Sequence, residues 1–435
     1  MKLFSTNNRN LIVGLEQAVF SGLPIDNGLY LPVLIPKLEE KFFKNINSYS
    51  FNEIAFYVSS ALIGDAIPAN DLKDIIDKAI TFDAPLINIH DNIYSLELFH
   101  GPSLAFKDFG ARFMASIMSY YLGKNSTKKI NILVATSGDT GSAVAQGFLK
   151  MPNIDVTILY PSGGVSEIQE KQLTTLGHNI TALEVNGTFD DCQKMVKMAF
   201  LDKELINHVN LSSANSINIS RLIPQSFYYF YAYSKLPGKP IVFSVPSGNF
   251  GNLSAGVIAK KMGLPVHKFI ASTNANNVIP EYLKTGTYTP RESVQTIANA
   301  MDVGNPSNYA RLNYIYENNV DKMRDEIIGK SYNDDMIRKT LKDIDKKYSY
   351  TLDPHGAIGY MGLNDFLMEN KNLDVNGIFL ETAHPGKFCD DVENILDRKL
   401  TLPISLQESM QKTKQSIKIN ATLDELKIFL LSKSS

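Results

Sequence analysis

The sequence predicts an α/β protein built from two open, mostly parallel sheets with helices on both faces, preceded by a small N-terminal unit. Three observations carry this. From about residue 91 onward, short β-rich apolar runs alternate with helical segments. Two of these stretches repeat one plan of strand, Ser-Gly-x-x-Gly turn, helix and strand. Residues 1 to about 90 lack that alternation and carry a Pro/Gly-marked turn instead.

In chain order, the turn is Gly22-Leu-Pro-Ile-Asp-Asn-Gly-Leu-Tyr-Leu-Pro32, followed by helical patterns near 51–64 and 71–80. The first repeated unit runs from Ile130-Asn-Ile-Leu-Val134 through Thr136-Ser-Gly-Asp-Thr-Gly141 into an Ala/Gly-rich helix from Ser142, then the strand Val156–Tyr160. The second runs from Ile241–Val245 through Pro246-Ser-Gly-Asn-Phe-Gly251 into a helix from about Asn252, then a strand near Lys268–Ala271. Each turn sits at the carboxyl end of a strand and opens a helix, where open α/β sheets bind ligands. Two such edges facing each other make a cleft. Between 280 and 350, Pro280, Gly286, Pro290 and Gly304-Asn-Pro306 mark irregular connections, then charged helices fill about 312–348 as a solvated face. The tail after Leu402 is polar, with one helix from Thr422, and reads as a packed or frayed terminus.

Composition narrows the function. At 435 residues, 44% hydrophobic and a net charge of −2, the chain has room for two or three domains but no basic stripe for nucleic acid and no acidic tail. Cys192 and Cys389 lie far apart without CxxC spacing, so neither a disulfide framework nor a zinc cluster is expected, in keeping with a reducing cytoplasm. No apolar run approaches the ~18 residues that span a bilayer. The expected partner is a small molecule.

The chemistry concentrates in a few places. Lys107 stands between Phe106 and Phe109, just after a Gly-Pro turn. In apolar surroundings an ammonium loses solvation, its pKa falls, and a neutral amine becomes available to attack a carbonyl, as in Schiff-base lysines. Alone, Lys107 is as well explained by methylenes lying over the two rings with the charge in water. Ser247-Gly-Asn-Phe-Gly-Asn252 offers close backbone approach, consecutive N–H groups and a helix N-terminus, which together suit a phosphate. It is neither a Walker A loop nor a full GxGxxG fingerprint, and a simple strand-to-helix turn accounts for the glycines equally well. In the other turn Ser137, Thr140 and backbone N–H groups can converge on a carboxylate or second phosphate, although a plain N-cap at Asp139 or Thr140 fits as well. His100, His355 and His384 each sit beside Gly or Pro without metal-ligand spacing, and are expected to line turns or the pocket. No Gly-x-Ser-x-Gly elbow occurs. A buried amine, a phosphate cradle and a carboxylate cradle together describe a pocket for an aldehyde cofactor with a phosphate, and pyridoxal 5'-phosphate satisfies all three.

Leu104-Ala-Phe-Lys-Asp-Phe109, Ala135-Thr-Ser-Gly-Asp-Thr-Gly-Ser-Ala143, Pro246-Ser-Gly-Asn-Phe-Gly-Asn252 and Thr382-Ala-His-Pro-Gly-Lys-Phe388 resemble the threonine synthase family, and Gly22–Pro32 resembles that family's N-terminal domain. The likeness runs from about residue 5 to 400. It implies a fold-type-II pyridoxal phosphate enzyme, like the tryptophan synthase β family. The corresponding plan is an N-terminal domain over 1–90, a catalytic region over 91–400 and a tail over 401–435. Within the catalytic region it implies a smaller subdomain of about 108–200 and a larger one of 91–107 plus 201–400. By the same resemblance Lys107 carries the cofactor, Gly248, Asn249, Phe250, Gly251 and Asn252 hold its phosphate, and Thr382 meets the pyridine nitrogen. A hydroxyl there, in place of a carboxylate, leaves the ring less protonated. Ser137, Asp139 and Thr140 line the substrate carboxylate side, and Arg112, Lys171 and Arg221 are candidates to clamp the substrate phosphate.

The implied reaction converts O-phospho-L-homoserine and water into L-threonine and phosphate in the cytoplasm, with the protein a monomer or homodimer. The rivals are a related fold-type-II lyase such as a serine/threonine dehydratase, and a catalytically silent binding protein of the same family. The long N-terminal unit argues against the first, and the intact Lys107 against the second.

Overall fold

The runs Ile130–Ala135 and Ile241–Pro246 are buried at every position. Continuous burial is what a parallel strand needs when helices cover both faces of its sheet. Each of these strands is internal to a separate sheet in the computed structural model, which describes residues 1–124, 129–136 and 138–433.

Near the N-terminus, Lys2–Ser5 (β1) pairs antiparallel with both Ile12–Gly14 (β2) and Tyr30–Pro32 (β3). The larger sheet contains Leu86–His90 (β4), Ile93–Glu97 (β5), Ile241–Pro246 (β10), Val266–Thr273 (β11), Ile327–Ser331 (β12) and Asn376–Glu381 (β13). Its order is β12-β11-β10-β13-β5-β4, parallel except for the β4–β5 edge pair. The smaller sheet contains Ile130–Ala135 (β6), Ile154–Pro161 (β7), Ile180–Asn186 (β8), Leu211–Ser213 (β9) and Ile417–Asn420 (β14), all parallel in the order β14-β8-β7-β6-β9.

The N-terminal helices set the helix that begins at Lys107. Helix Phe51–Ile63 starts with a capping box in which Ser50 and Glu53 satisfy each other's backbone amides. Its buried stripe, with Ile75 and Ile76 of helix Ala69–Ala79, packs in one core with Phe109, Phe113 and Met114 of helix Lys107–Lys124. Phe51 and Phe82 hold Phe109 at ring separations of 5.7 and 4.8 Å.

Three boundaries differ from the sequence reading. β4 begins at Leu86, so the large sheet starts before residue 90. The smaller sheet takes in β9 and β14, well beyond 108–200. The region read as charged helices over 312–348 also contains β12, whose Ile-Ile pair is too short an apolar run to stand out locally. The tail packs: β14 joins β8, and Leu426 and Leu430 of helix Leu423–Ser432 sit in a core with Leu183 and Cys192. Among the described residues no helix is long and apolar enough to cross a membrane.

Candidate active site

Lys107 is the first residue of its helix and lies where the two sheets approach. The preceding segment is stitched to the end of β13, because the Phe106 amide donates to the Thr382 carbonyl at 2.9 Å and Ala105 bridges Ala383. The Lys107 side chain is 16% exposed, and its Nζ lies 4.0 Å from Asp139 Oδ2. Burial lowers its pKa from the ordinary 10.5 to about 8; Asp139 opposes the shift, while Arg221 and Lys387 reinforce it. Lys107 is thus mostly buried, with its amine turned toward Asp139.

Asp139 opens helix Asp139–Phe148 from the smaller sheet. Burial pushes its carboxyl up, but Lys387 and Lys107 outweigh it and hold Asp139 ionised well below the usual range. Lys387, fully buried in the turn after β13, lies 2.8 Å from Asp139 Oδ1 and donates to the Ser103 carbonyl at 2.7 Å. Gln169 adds a bond from Nε2 to the same Oδ1 at 3.1 Å. The side chain of Asp139 thus addresses amines, which corrects its assignment to a substrate carboxylate. Nor does Asp139 or Thr140 cap the turn: Thr136 Oγ1 accepts from the amides of Gly138 and Gly141 at 3.0 and 2.8 Å. Gly138 has φ +136°, and a Cβ there would fall 2.6 Å from the Gln169 side chain, so this turn requires glycine. Ser137 lies outside the described residues.

The second turn, after β10, opens helix Gly251–Lys261. A Cβ on Gly248 would sit 2.7 Å from Met301 Cα, so the backbone is pressed against a neighbouring loop. Phe250 is buried with φ +59°, turning the chain into the helix. Asn249 bonds Ser216 Oγ and the Ser307 amide, each at 2.6 Å, and so braces the turn. Asn252 Oδ1 accepts from the hydroxyls of Tyr228 and Tyr229, each at 2.7 Å, while its Nδ2 is buried without a partner. Tyr228 also packs on Phe109 at 5.3 Å, which links this turn to the Lys107 helix.

A buried network joins the Thr382 end of the site to the Gly248 turn. Glu381 Oε1 accepts the Asp353 amide at 2.6 Å, and Asp353 Oδ2 accepts the Ala383 amide at 3.1 Å. The His355 ring contacts Asp353 Oδ1 through Nδ1 at 3.0 Å, and its Nε2 accepts the Ala300 amide at 3.2 Å, beside Met301. That pattern places the proton on Nδ1. Burial, reinforced by the Asp353 carboxylate, raises the Glu381 pKa well above its ordinary value. His100 bonds Glu97 at 2.7 Å, and His384 caps the Gly386 amide at 3.0 Å, its pKa lowered by burial to about 4. Among the described residues no group of three or more His, Cys, Asp or Glu side chains is placed to hold a metal ion.

Of the three basic candidates for a phosphate clamp, the structure brings only Arg221 to the site. Arg221 is buried against Gly110, donates from Nη1 to the Ala214 carbonyl at 2.5 Å, and leaves Nε without a partner. Arg112 is spent on the carbonyls of Ala79 and Lys78 at 2.8 and 2.7 Å, tying its helix to the N-terminal unit. Lys171 donates to the Lys412 carbonyl at 2.7 Å and anchors the C-terminal segment. Both are corrections, and the reason is the same: a guanidinium or ammonium beside unpaired helix-end or strap carbonyls is consumed there. Lys387 was missed. Its signal lay in the motif Thr382–Phe388, but nothing local showed that this lysine turns inward.

Comparison with known proteins agrees with this geometry. Residues 84–374 match the family model for pyridoxal-phosphate dependent enzymes, residues 2–80 that for the threonine synthase N terminus, and residues 356–430 that for the threonine synthase C-terminal region. The chain is 43% identical to threonine synthase of Escherichia coli K12 over 94% of each sequence, and 45% identical to that of Buchnera aphidicola from Acyrthosiphon pisum over the full length of both. The chain belongs to the threonine synthase family. Solved members superpose closely. The crystal structure from E. coli has a TM-score of 0.93 at 41% identity and covers all of both chains; the pyridoxal phosphate-bound structure from Brucella melitensis has 0.94 at 34% identity, covering 100% of this chain and 99% of that one. Threonine deaminase from Solanum lycopersicum, at 16% identity and a TM-score of 0.57, shares the fold alone. As a threonine synthase family member of fold type II, the chain is a pyridoxal phosphate-dependent enzyme.

The residues present fit that cofactor. The turn Ser247–Asn252 offers a cradle that a Cβ would fill at Gly248, an orphaned buried donor at Asn252 Nδ2, and a helix N-terminus. Thr382, 7% exposed, supplies a hydroxyl one residue beyond β13, close in space to the Lys107 backbone.

Proposed function

We propose that this chain forms L-threonine and phosphate from O-phospho-L-homoserine and water, as a cytoplasmic monomer or homodimer. The observation that carries the reading is Lys107: a buried amine with its pKa drawn down to about 8, facing one ionised carboxylate.

In this reading Lys107 holds the cofactor, the amides of Gly248–Asn252 and the orphaned Asn252 Nδ2 hold its phosphate, and the Thr382 hydroxyl meets the ring nitrogen. Pyridoxal phosphate, when bound, supplies an electron sink that makes the α-hydrogen of an attached amino acid acidic. The protein does the rest. Once its nitrogen is free, Lys107 Nζ takes the α-proton and gives it up before it takes the β-proton; phosphate departs from the γ-carbon, and Nζ returns one proton there. Water then adds its hydroxyl at the β-carbon, and a proton is restored to the α-carbon. Asp139 stands beside Lys107 through this cycle and steadies the ammonium form each time the amine carries a proton. Arg221, whose Nε has no partner, is the described cation left to meet the substrate phosphate, while backbone amides at the start of helix Asp139–Phe148 receive the substrate carboxylate beside Thr140.

The test is direct. Cofactor-loaded protein incubated with phosphohomoserine should release threonine and phosphate in equal amounts, and Lys107→Ala should release neither. Ammonia from threonine, without products from phosphohomoserine, would instead identify a dehydratase.

A further inference from the structure

Asp139 has two oxygens with different company. Oδ1 receives Lys387 at 2.8 Å and Gln169 at 3.1 Å, whereas among the described residues Oδ2 meets only Lys107, at 4.0 Å and beyond hydrogen-bond reach. Lys387 comes from the turn after β13 of the larger sheet, and Asp139 and Gln169 from helices of the smaller one. One buried ion pair therefore spans the two halves of the site. It is also locked: Lys387 Nζ is held by the Ser103 carbonyl at 2.7 Å, and Gln169, the third residue of its helix, is fixed by the capping box it forms with Ser166.

We propose that Lys387 is a positioning residue that, by monopolising Asp139, keeps Lys107 Nζ available as a free amine. The inference rests on the cofactor-bearing role of Lys107. Two amines compete for one carboxylate, and the shorter, hydrogen-bonded pair wins the larger share of its charge. Without Lys387, Asp139 would turn to Lys107 and hold it as an ammonium, which cannot attack an aldehyde. Besides Asp139 and Lys387, Lys107 faces the Arg221 guanidinium; Asp108, the next residue of the same helix, faces Arg221, and the His355 ring faces Asp139. Among the described residues none of these bonds Asp139 directly, so removing Lys387 removes the cation hydrogen-bonded to Asp139 and leaves only the neutral Gln169 amide on Oδ1.

The proposal is tested by competitive acetylation of the full-length chain without added cofactor across about pH 6 to 11, read by mass spectrometry against the exposed Lys399. This reports the apparent pKa of Lys107 independently of turnover. Lys387→Gln, which retains a donor for Ser103, and Lys387→Met should each raise that pKa by about one unit or more, a roughly tenfold loss of free amine at neutral pH. Lys387→Arg should restore the wild-type value, and Asp139→Asn should lower it. A Lys107 pKa unchanged in folded Lys387→Gln, or not restored by arginine, overturns the proposal and leaves the proposed function standing. Failure of pyridoxal phosphate and borohydride to label Lys107 in the wild-type chain overturns the function and the inference together.

Discussion

The Phe106 amide donates to the Thr382 carbonyl across 2.9 Å, so the residue before Lys107 and the residue after β13 are held as a pair. They are 276 positions apart in the chain and belong to different secondary elements. This bond fixes where the Lys107 helix starts relative to the Thr382 hydroxyl, and it makes the site depend on the network behind Thr382.

Gly356 lies in that network. A Cβ there would be 1.5 Å from Glu381 Oε2, inside a carboxyl whose other oxygen is bonded to Asp353. Gly356→Ala should therefore lower stability by about 3 kcal/mol, the upper end of overpacking costs, and weaken cofactor binding. Thermal unfolding with and without pyridoxal phosphate measures both.

Gly248→Ala probes the other end. The added methyl meets backbone, Met301 Cα at 2.7 Å, which cannot rotate away. The turn must open, so cofactor affinity should fall at least tenfold while stability falls by about 1–3 kcal/mol. Fluorescence titration with pyridoxal phosphate reads the affinity; an unchanged Kd would show that the turn does not carry the phosphate.

Lys107 should cost stability when the cofactor is absent. Its folded pKa, about 8, lies below the ordinary 10.5, so between these values the unfolded chain binds the proton and the folded chain does not. Stability should rise with pH through that window, by at most about 1.4 kcal/mol per pH unit. Below about pH 8 the full penalty applies. Lys107→Met should then be more stable than wild type at pH 7, and the two should converge above pH 10; denaturant unfolding at both pH values decides it.

The C-terminal strap should be acid-labile. Burial pushes the Glu184 carboxyl up, but the Lys414 ammonium and the Ser162 hydroxyl bring it down to about 2. Its stabilising contribution is complete above its ordinary 4.5 and lost as pH falls toward about 2. Hydrogen exchange at Ile417–Asn420 should accelerate across that range. Lys414→Ala, which unpairs Glu184 from a contact of 2.8 Å, should weaken β14 by about 1 kcal/mol already at neutral pH.

Much of the fold was legible because its central strands are continuous apolar runs bounded by glycine turns. The strands after which both turns form, the helices following them and the helix beginning at Leu423 fall where local patterning put them. β9, β12 and β14 did not announce themselves: each has five residues or fewer, and each becomes a strand only because a neighbour offers an edge. The same limit applied to cations. Arg112, Lys171, Arg221 and Lys387 are equivalent as letters, and the carbonyls or carboxylates that claim them come from elements 33 to 284 positions away for all but Arg221.

By itself the sequence determined the class of fold, the amine at Lys107, the glycine turns at the ends of two strands and the family to which they belong, because these depend on local periodicity and on residues adjacent in the chain. Only the tertiary structure decided which charges meet. Asp139 was turned from a substrate ligand into the shared partner of Lys387 and Lys107, and Arg112 and Lys171 were removed from the site. Ion pairing in a buried pocket depends on distance and desolvation across two sheets, which no stretch of sequence contains.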